Sequence, residues 1–320
     1  MKKNIKIGVV IPCYKVSHHI FALLDKIDAS VHSIYVVDDC CPEKTGNLVK
    51  LEYKDKRLKI IQHEKNLGVG GAVISGYKEA IKDDMDIVVK IDGDGQMDPA
   101  LIHEFIYPII NSEADYTKGN RFYNLEEILA MPKKRIFGNT ALSFINKISS
   151  GYWNIFDPTN GYTAIHIDVI KMLPLNKISK RYFFESDILF RLNTLKAVVV
   201  DIPMEANYGD EASNLKVRNI LFEFLWKHIK NIFKRIFYNY YLRDMSIASF
   251  ELPLGIIFFC FGLIYGLNKW LYYLHTNLAA PTGTVVLPAL SLLIGLQFIL
   301  AFISYDFISV PKKIIHKRRV

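Results

Sequence analysis

The stretch DIVVKIDGDGQMDP, residues 86–99, joins an apolar run to two closely spaced carboxylates. The run is rich in β-branched residues, which is typical of a buried strand. Asp92 and Asp94 follow it two positions apart, where their like charges repel unless a cation lies between them. With the amide oxygen of Gln96 they form a set of hard ligands suited to Mg²⁺ or Mn²⁺. The sequence therefore predicts a divalent metal site at the end of a strand.

Two other structures fit such a run of aspartates. An EF-hand calcium loop that starts at Asp92 requires glycine at its sixth position and glutamate at its twelfth. Met97 and His103 stand there, which excludes that loop. A solvated acidic turn without a metal remains open as the alternative.

Three further apolar runs precede this strand and alternate with helical patterns. The predicted elements are strands over residues 6–12, 33–39, 58–62 and 86–92 and a helix over 69–82. This alternation indicates an α/β fold with a Rossmann-like, mostly parallel sheet. Such sheets bind ligands at the carboxyl ends of their strands, which is where Pro12, Asp39 and Asp94 stand.

The segment NLGVGGAVISGY, residues 66–77, carries glycines at a strand-to-helix junction. A dinucleotide-binding fingerprint would need glycine where Val73 stands, and it would follow the first strand rather than the third. A nicotinamide cofactor is therefore not expected. Close packing of this backbone, from Asn66 onward, beside a nucleotide is expected instead.

Two long apolar stretches, residues 247–268 and 285–308, predict a transmembrane hairpin. The linker between them has no lysine or arginine, and only Lys269 lies just before it, whereas both flanking segments are basic. The positive-inside rule puts both ends in the cytoplasm. The N-terminal apolar run is too short for a signal peptide. The expectation is a multi-pass protein of the plasma (inner) membrane with a cytoplasmic main domain, and a pair of buried core helices is the alternative.

The segment before the hairpin repeats apolar residues at helical spacing and has lysines on another face. It is predicted to form interfacial amphipathic helices on anionic lipid, with docking on the main domain as the alternative. The resulting domain plan is 1–215 for the main domain, 216–245 for the interfacial helices, and 246–320 for the hairpin and its basic tail. The bilayer is thus an expected partner, nucleic acid is not, and self-association through the hairpin stays open.

Seven segments occur in an order typical of one enzyme family: IPCYK, VVDDCCPEKT, NLGVGGAVISGY, DGDGQMDP, GNRF, DPTNGYTAI and FFESDILFRL. In this order the chain resembles the family-two glycosyltransferases, which have a GT-A fold. With the membrane hairpin behind an interfacial helix, it is similar to the polyprenyl-phosphate glycosyltransferases, relatives of dolichyl-phosphate mannose synthase.

The resemblance implies roles for individual residues. Binding of the nucleotide sugar is implied for Pro12, Tyr14, Asp38, Asp39, Asn66, Asp92, Asp157 and Asn160. The family's D-x-D-x-Q metal ligands correspond to Asp92, Asp94 and Gln96. The acceptor phosphate is implied to lie on Arg121, Arg135 and Asn139, with Lys216 and Arg218 as further candidates. The catalytic roles fall on Asp94, Arg121, Arg135 and Asp187.

Glu185 and Asp187 stand where many members of the family carry acidic catalytic residues. A hydroxyl acceptor needs such a carboxylate as a general base. A phosphate monoester, whose second pKa is about 6, is mostly ionised at neutral pH and needs little such help. For a phosphate acceptor, these two residues are therefore expected to orient the sugar or the acceptor.

The resemblance implies an inverting transfer from a nucleoside-diphosphate sugar to a polyprenyl phosphate, with undecaprenyl phosphate expected as the lipid and uridine favoured over guanosine. The alternative is a membrane-anchored glycosyltransferase that extends a hydroxyl of a glycan or glycolipid. A scaffold without activity would be expected to have a damaged metal motif, and all three ligands are present.

Overall fold

The computed structural model describes residues 5–123, 133–205 and 217–317, except for the side chains of residues 133–135, 137 and 217–221. The chain divides into two compact units. The first runs to Ile232 and resumes at Val310, and the second is Phe233–Ser309. The tail after the last apolar helix, which the sequence assigned to the membrane part, therefore clusters with the first unit.

The first unit alternates strands and helices. Its strands are β1 Ile7–Cys13, β2 Ser33–Asp38, β3 Leu58–Gln62, β4 Ile87–Lys90, β5 Tyr116–Asn120, β6 Thr163–His166 and β7 Val199–Pro203. Its helices are α1 Ile20–Asp25, α2 Thr45–Glu52, α3 Val69–Lys82, α4 Ile102–Ile110, α5 Lys133–Ser150, α6 Ile167–Met172 and α7 Phe184–Leu195. The next helix, α8 Val217–Phe237, begins in the first unit and ends in the second.

The described strands form one sheet in the order β3-β2-β1-β4-β6-β5-β7. All neighbouring pairs are parallel except those of β6, which runs antiparallel to β4 and β5. The predicted α/β fold with a mostly parallel sheet is confirmed. The reversal of β6 was not predicted, because the residue pattern of a short buried strand does not encode its direction.

The central strands are covered on both faces, which explains their continuous apolar runs. All seven residues of β1 are buried. Its successive side chains point to opposite faces, so Val10 packs in one apolar cluster and Ile11 in another. Helix α3, which begins and ends where the sequence predicted, packs Ala72 and Tyr77 into the first of these clusters.

The C-terminal tail is part of the first unit's core. Ile315 is buried among the residues of the first cluster. Asp115, fully buried just before β5, accepts hydrogen bonds from the backbone N–H groups of Val198 at 2.8 Å, Ile315 at 2.9 Å and His316 at 3.0 Å. Its Oδ1 also lies 2.6 Å from Nδ1 of His316. The tail thus docks at the amino edge of the sheet, opposite the carboxyl ends of the strands.

Helix α8 is amphipathic, with its polar side inward. His228 and Asn231 are buried, whereas Phe222, Trp226 and Phe233 are 78%, 63% and 73% exposed. A π-helical turn, Tyr238–Arg243, follows it. Docking of α8 by its apolar face, the alternative that the sequence left open, is not observed for these residues.

The second unit contains two long apolar helices, α9 Ala248–Thr276 and α10 Thr282–Ile308. Both are long and apolar enough to cross a membrane by length and composition. A Cβ on Gly255, Gly262 or Gly295 would come within 2.9 Å of the other helix, so these small residues allow close packing inside the hairpin.

A buried ion pair lies within the same unit. Arg235 Nη1 is 2.6 Å from Oδ1 of Asp306, and Arg235 Nη2 is 3.0 Å from its Oδ2. The hydroxyl of Tyr240 donates to the same carboxylate at 2.5 Å. This bidentate arrangement fixes the segment before α9 to the end of α10.

Candidate active site

The carboxyl ends of β1, β2 and β4 open into a cavity of about 1080 Å³. The chain crosses from β1 to β2 on one side and to β4 on the other, and open α/β sheets bind ligands at such a switch point. Seven predicted site residues line the cavity: Pro12, Tyr14, Asp39, Asn66, Asp92, Asp94 and Gln96.

Asp39 anchors the glycine segment to this edge of the sheet. Its carboxylate accepts hydrogen bonds from the N–H groups of Leu67 at 2.8 Å and Gly68 at 2.7 Å. Gly68 has a φ of +84°, and a Cβ there would come 2.6 Å from the carbonyl oxygen of Lys180. Glycine is therefore required both by the backbone conformation and by the close approach of the loop before α7.

Asp38 does not line the cavity with its neighbour. Its two carboxylate oxygens accept hydrogen bonds from the N–H groups of Cys41 and Gly46, both at 2.7 Å. The side chain is buried and holds the turn that leads into α2. Its implied contact with a nucleotide stays a prediction.

The three predicted metal ligands also line a second, smaller cavity of about 120 Å³. Asp92 Oδ1 is buried, and within the described residues no hydrogen bond reaches it, although the Lys90 ammonium forms an ion pair with it at 2.9 Å. Two carboxylates and an amide around such an oxygen fit Mg²⁺ or Mn²⁺.

Outside this motif, the described part of the chain brings together no group of three or more His, Cys, Asp or Glu side chains that could hold a metal. A site with only two carboxylates leaves coordination positions for oxygens of a substrate. The arrangement therefore suits a metal that is shared with a diphosphate.

Arg121 lines the smaller cavity beside the metal motif. Its Nε is 2.7 Å from Oδ2 of Asp157 and its Nη2 is 3.1 Å from Oδ1, a bidentate pair. Asp157 is fully buried, so its implied role on the sugar side reduces here to holding the guanidinium. Asn160 lines the cavity, as predicted for a residue near the sugar.

The other predicted phosphate-binding residues are less well placed for description. Arg135 lies in α5, but its side chain is outside the described residues. Asn139 lies one turn further along α5 and is half-buried. Lys216 and the side chain of Arg218 are also outside the described residues.

The two carboxylates of FFESD have different surroundings. Asp187 Oδ2 accepts hydrogen bonds from the N–H of Ser179 at 2.8 Å and from Nε of Arg191 at 3.1 Å, and Oδ1 accepts from Asn231 of α8 at 3.3 Å. Glu185 instead points toward the metal motif, with Oε1 2.8 Å from Nζ of Lys90. The catalytic role of Asp187 stays a prediction, and its contacts are those of a residue that joins α7 to α8.

Sequence reasoning missed two buried lysines, Lys90 and Lys118, whose side chains are 1% and 0% exposed. Burial lowers the pKa of Lys90, but Asp92 and Glu185 raise it more, so its pKa lies above the ordinary value. Burial lowers the pKa of Lys118, and the neighbouring carboxylates only partly oppose this. A lysine inside an otherwise apolar strand was the available signal, because a buried ammonium requires a carboxylate partner.

Arg181 and Tyr182 were missed as well. Both line the larger cavity from the loop before α7. Their distance in sequence from the strand ends gave no signal for that position.

A mostly parallel α/β sheet whose switch-point cavity carries a D-x-D-x-Q motif is the arrangement of the GT-A glycosyltransferases. The family model described as Glycosyl transferase family 2 matches residues 8–173, more than half of the chain. The chain belongs to this family and is a glycosyltransferase.

Two relatives show how far the similarity extends. The UDP-N-acetylglucosamine–dolichyl-phosphate N-acetylglucosaminyltransferase of Methanococcus voltae is 32% identical over 232 residues, which cover 68% of this chain and 92% of the relative. The dolichol-phosphate mannosyltransferase of Pyrococcus furiosus is 28% identical over 295 residues, which cover 90% of this chain and 77% of the relative.

Among solved structures, glucosyl-3-phosphoglycerate synthase from Mycobacterium tuberculosis, in complex with Mn²⁺, UDP and phosphoglyceric acid, has a similar fold. It superposes with a TM-score of 0.52 at 16% identity, covering 72% of this chain and 78% of that one. The GT-A fold of the first unit is thus supported independently of close sequence similarity.

Proposed function

We propose that the protein transfers a sugar, with inversion at the anomeric carbon, from a nucleoside-diphosphate sugar to a polyprenyl phosphate. Supporting this, the curated relatives described above are named for transfer to dolichyl phosphate. The observation that carries the proposal is the pairing in one cavity of Arg121 with the motif of Asp92, Asp94 and Gln96. A cation beside a diphosphate-type metal site is what a transfer onto a phosphate requires.

The donor is assigned to the larger cavity. Pro12 and Tyr14 line one end of it and the metal motif the other, so a nucleotide at the first end would extend its diphosphate toward Asp92 and Asp94. Mg²⁺ or Mn²⁺ held by these carboxylates and Gln96 would supply Lewis-acid stabilisation of the departing diphosphate. The M. voltae relative is named for a UDP sugar and the M. tuberculosis structure holds UDP, which favours uridine over guanosine.

The acceptor phosphate is assigned to the side of Arg121. Asp157 fixes the plane of the guanidinium by two hydrogen bonds, so the cation is oriented before the acceptor arrives. A guanidinium has five N–H donors and can serve a carboxylate and a phosphate together. Arg135 and Asn139 on α5 are proposed to complete the phosphate site.

A phosphate nucleophile also agrees with the contacts of Asp187. Both of its carboxylate oxygens accept hydrogen bonds from Ser179, Arg191 and Asn231, which is the geometry of a residue that holds helices rather than of a base. An ionised phosphate monoester attacks without a general base. Asp187 is therefore proposed to orient the helices around the site.

The lipid tail of the acceptor is proposed to stay in the bilayer. The exposed aromatic face of α8, with Phe222, Trp226 and Phe233, suits insertion at the boundary of headgroups and acyl chains. Helices α9 and α10 are proposed to span the membrane as a hairpin, with the first unit on the cytoplasmic side. This placement brings a membrane-bound phosphate to a soluble donor.

The test is a transfer assay with the purified full chain in detergent, Mn²⁺, undecaprenyl phosphate and a panel of radiolabelled UDP- and GDP-sugars. The expected result is label in the lipid fraction with a UDP-sugar. A second set of reactions offers glycan and glycolipid hydroxyl acceptors. Label on a hydroxyl, with none on undecaprenyl phosphate for any donor, would replace this proposal by the hydroxyl-acceptor enzyme.

A further inference from the structure

Two buried lysines lie in one row across the sheet beneath the metal motif. In the strand register Lys90 of β4 pairs with Thr163 of β6, and Thr163 pairs with Lys118 of β5. Side chains in register across neighbouring strands point to the same face. The row therefore places two ammonium groups on one face of the sheet, close to its carboxyl edge.

Glu185 of α7 lies between these two ammonium groups. Its Oε1 is 2.8 Å from Nζ of Lys90, and its Oε2 is 4.0 Å from Nζ of Lys118. The Lys90 ammonium is shared, because it also lies 2.9 Å from Oδ1 of Asp92. Lys118 points away from the metal motif and donates a hydrogen bond to the carbonyl oxygen of Asn160.

Asp92 is confined from its other side as well. A Cβ on Gly161 would come 2.1 Å from Oδ2 of Asp92 and 2.7 Å from Nζ of Lys90. The carboxylate is thus held between a backbone that only glycine permits and a buried cation. Neither Lys90 nor Glu185 lines the two cavities described above, so both can act on a ligand only through Asp92.

We propose that Lys90 and Glu185 are positioning residues that set the charge and the orientation of Asp92 and thereby the affinity of the site for a divalent cation. Lys90 competes with the metal for Asp92, and Glu185 limits this competition by taking part of the ammonium's charge. The inference rests on the metal site of the proposed function and is independent of the acceptor.

The charges predict opposite effects from the two partners. Lys90→Met removes a positive charge next to Asp92 and should tighten the binding of Mn²⁺. Glu185→Gln keeps the size of the side chain but leaves Lys90 to Asp92 alone, and should weaken binding. One full charge at this distance, inside a protein, corresponds to a change of about tenfold in each direction.

The experiment titrates the detergent-purified full chain with Mn²⁺ in the presence of UDP and follows free Mn²⁺ by electron paramagnetic resonance. The expected result is tighter binding for Lys90→Met, weaker binding for Glu185→Gln, and a dissociation constant near the wild-type value for the double variant. The double variant guards against a folding defect of Lys90→Met, because a buried ion pair replaced as a whole is tolerated better than one broken in half. Lys118→Met is the matched control, a buried lysine removed without contact to Asp92, and should change binding less than either single variant.

A purely structural pair would weaken binding in both single variants or leave it unchanged in both, and either result overturns the inference. A double variant that binds as poorly as Glu185→Gln overturns it too, as does a wild-type chain that binds no Mn²⁺ with UDP. Opposite shifts together with no transfer to undecaprenyl phosphate would contradict only the proposed acceptor. Transfer with shifts of the same sign would contradict only this inference.

Discussion

The two edges of the sheet both bury carboxylates, but they satisfy them differently. At the amino edge Asp115 accepts hydrogen bonds from three backbone N–H groups and lies against Nδ1 of His316. At the carboxyl edge Asp92 Oδ1 and Glu185 Oε2 are buried, and no hydrogen bond from the described residues reaches either oxygen. Their neighbours are ammonium groups rather than backbone donors.

This difference separates structure from chemistry within one sheet. A carboxylate that is saturated by backbone donors has no capacity left for a ligand, so Asp115 serves to dock the C-terminal tail. A carboxylate held by ion pairs beside a cavity keeps lone pairs for a cation. The two edges should therefore respond to substitution in different observables.

The largest effect is expected at Asp92. Asp92→Asn removes one of two charged metal ligands and should lower kcat by about a thousandfold, the scale of losing electrostatic stabilisation of a transition state. Transfer rates at saturating Mn²⁺ measure this, and thermal unfolding serves as the control for folding. An Asp92→Asn enzyme with activity within tenfold of wild type would show that the carboxyl edge does not hold the metal as described.

Asp115→Asn should act on stability instead. The amide replaces an acceptor oxygen by a donor, which then faces backbone N–H groups of Val198, Ile315 or His316. Leaving such buried donors unpaired should cost about 3 kcal/mol of unfolding free energy. Denaturant unfolding measures the loss, while the Mn²⁺ affinity of the folded fraction should not change. A shift in Mn²⁺ affinity would contradict the separation of the two edges.

Asp201 of β7 provides a change in the stabilising direction. Burial raises the pKa of Asp201 to about 6, and the hydrogen bond from the N–H of Phe156 only partly offsets this. Its folded pKa thus exceeds the unfolded value of about 3.9, so the stability it contributes is complete below pH 4 and is lost as the pH rises through 6. Asp201→Asn should raise the unfolding free energy at pH 7.5 by on the order of 2 kcal/mol.

The check for Asp201 is a series of unfolding curves between pH 4 and 8. The variant should exceed wild type most above pH 6, and the difference should vanish near pH 4. A variant that is less stable than wild type at pH 7.5 would mean that the ionised carboxylate is stabilising where it stands.

The smallest effect on turnover is expected at Asp187. Asp187→Asn keeps an oxygen for Ser179 or Asn231 but loses the charge facing Arg191, so stability should fall by about 1 kcal/mol. Transfer to a phosphate acceptor should stay within about threefold of wild type, because an ionised phosphate needs no base. A loss of activity beyond a hundredfold with normal unfolding would identify Asp187 as a general base and favour a hydroxyl acceptor.

The strand ends and the metal motif were predictable from the sequence because each combines a local pattern with a fixed place on a parallel sheet. Tyr14, Asp39 and Asp94 follow strands directly, and strand ends converge by topology. Lys90 and Lys118 were not found, because their partner Glu185 is far away in sequence and reaches them only through the packing of α7 on the sheet.

The tail was misplaced for a related reason. A basic segment after an apolar helix is typical of a membrane flank, and nothing local shows that Ile315 fills a gap in the core or that Asp115 awaits its backbone. Pairings of this kind, some 200 residues apart, depend on the whole fold. Asp38 and Asp39 make the same point at short range, since adjacent carboxylates face a turn and a cavity respectively.

The account's central claim is that the nucleophile is a lipid phosphate, and a pair of matched acceptors tests it most directly. The purified full chain is given Mn²⁺, a radiolabelled UDP-sugar that it accepts, and either undecaprenyl phosphate or undecaprenol, which differ only in the phosphate. The account predicts labelled lipid from undecaprenyl phosphate alone, with the sugar released by mild acid as a glycosyl phosphate is. Label on undecaprenol, or a product from undecaprenyl phosphate that resists mild acid, would contradict it.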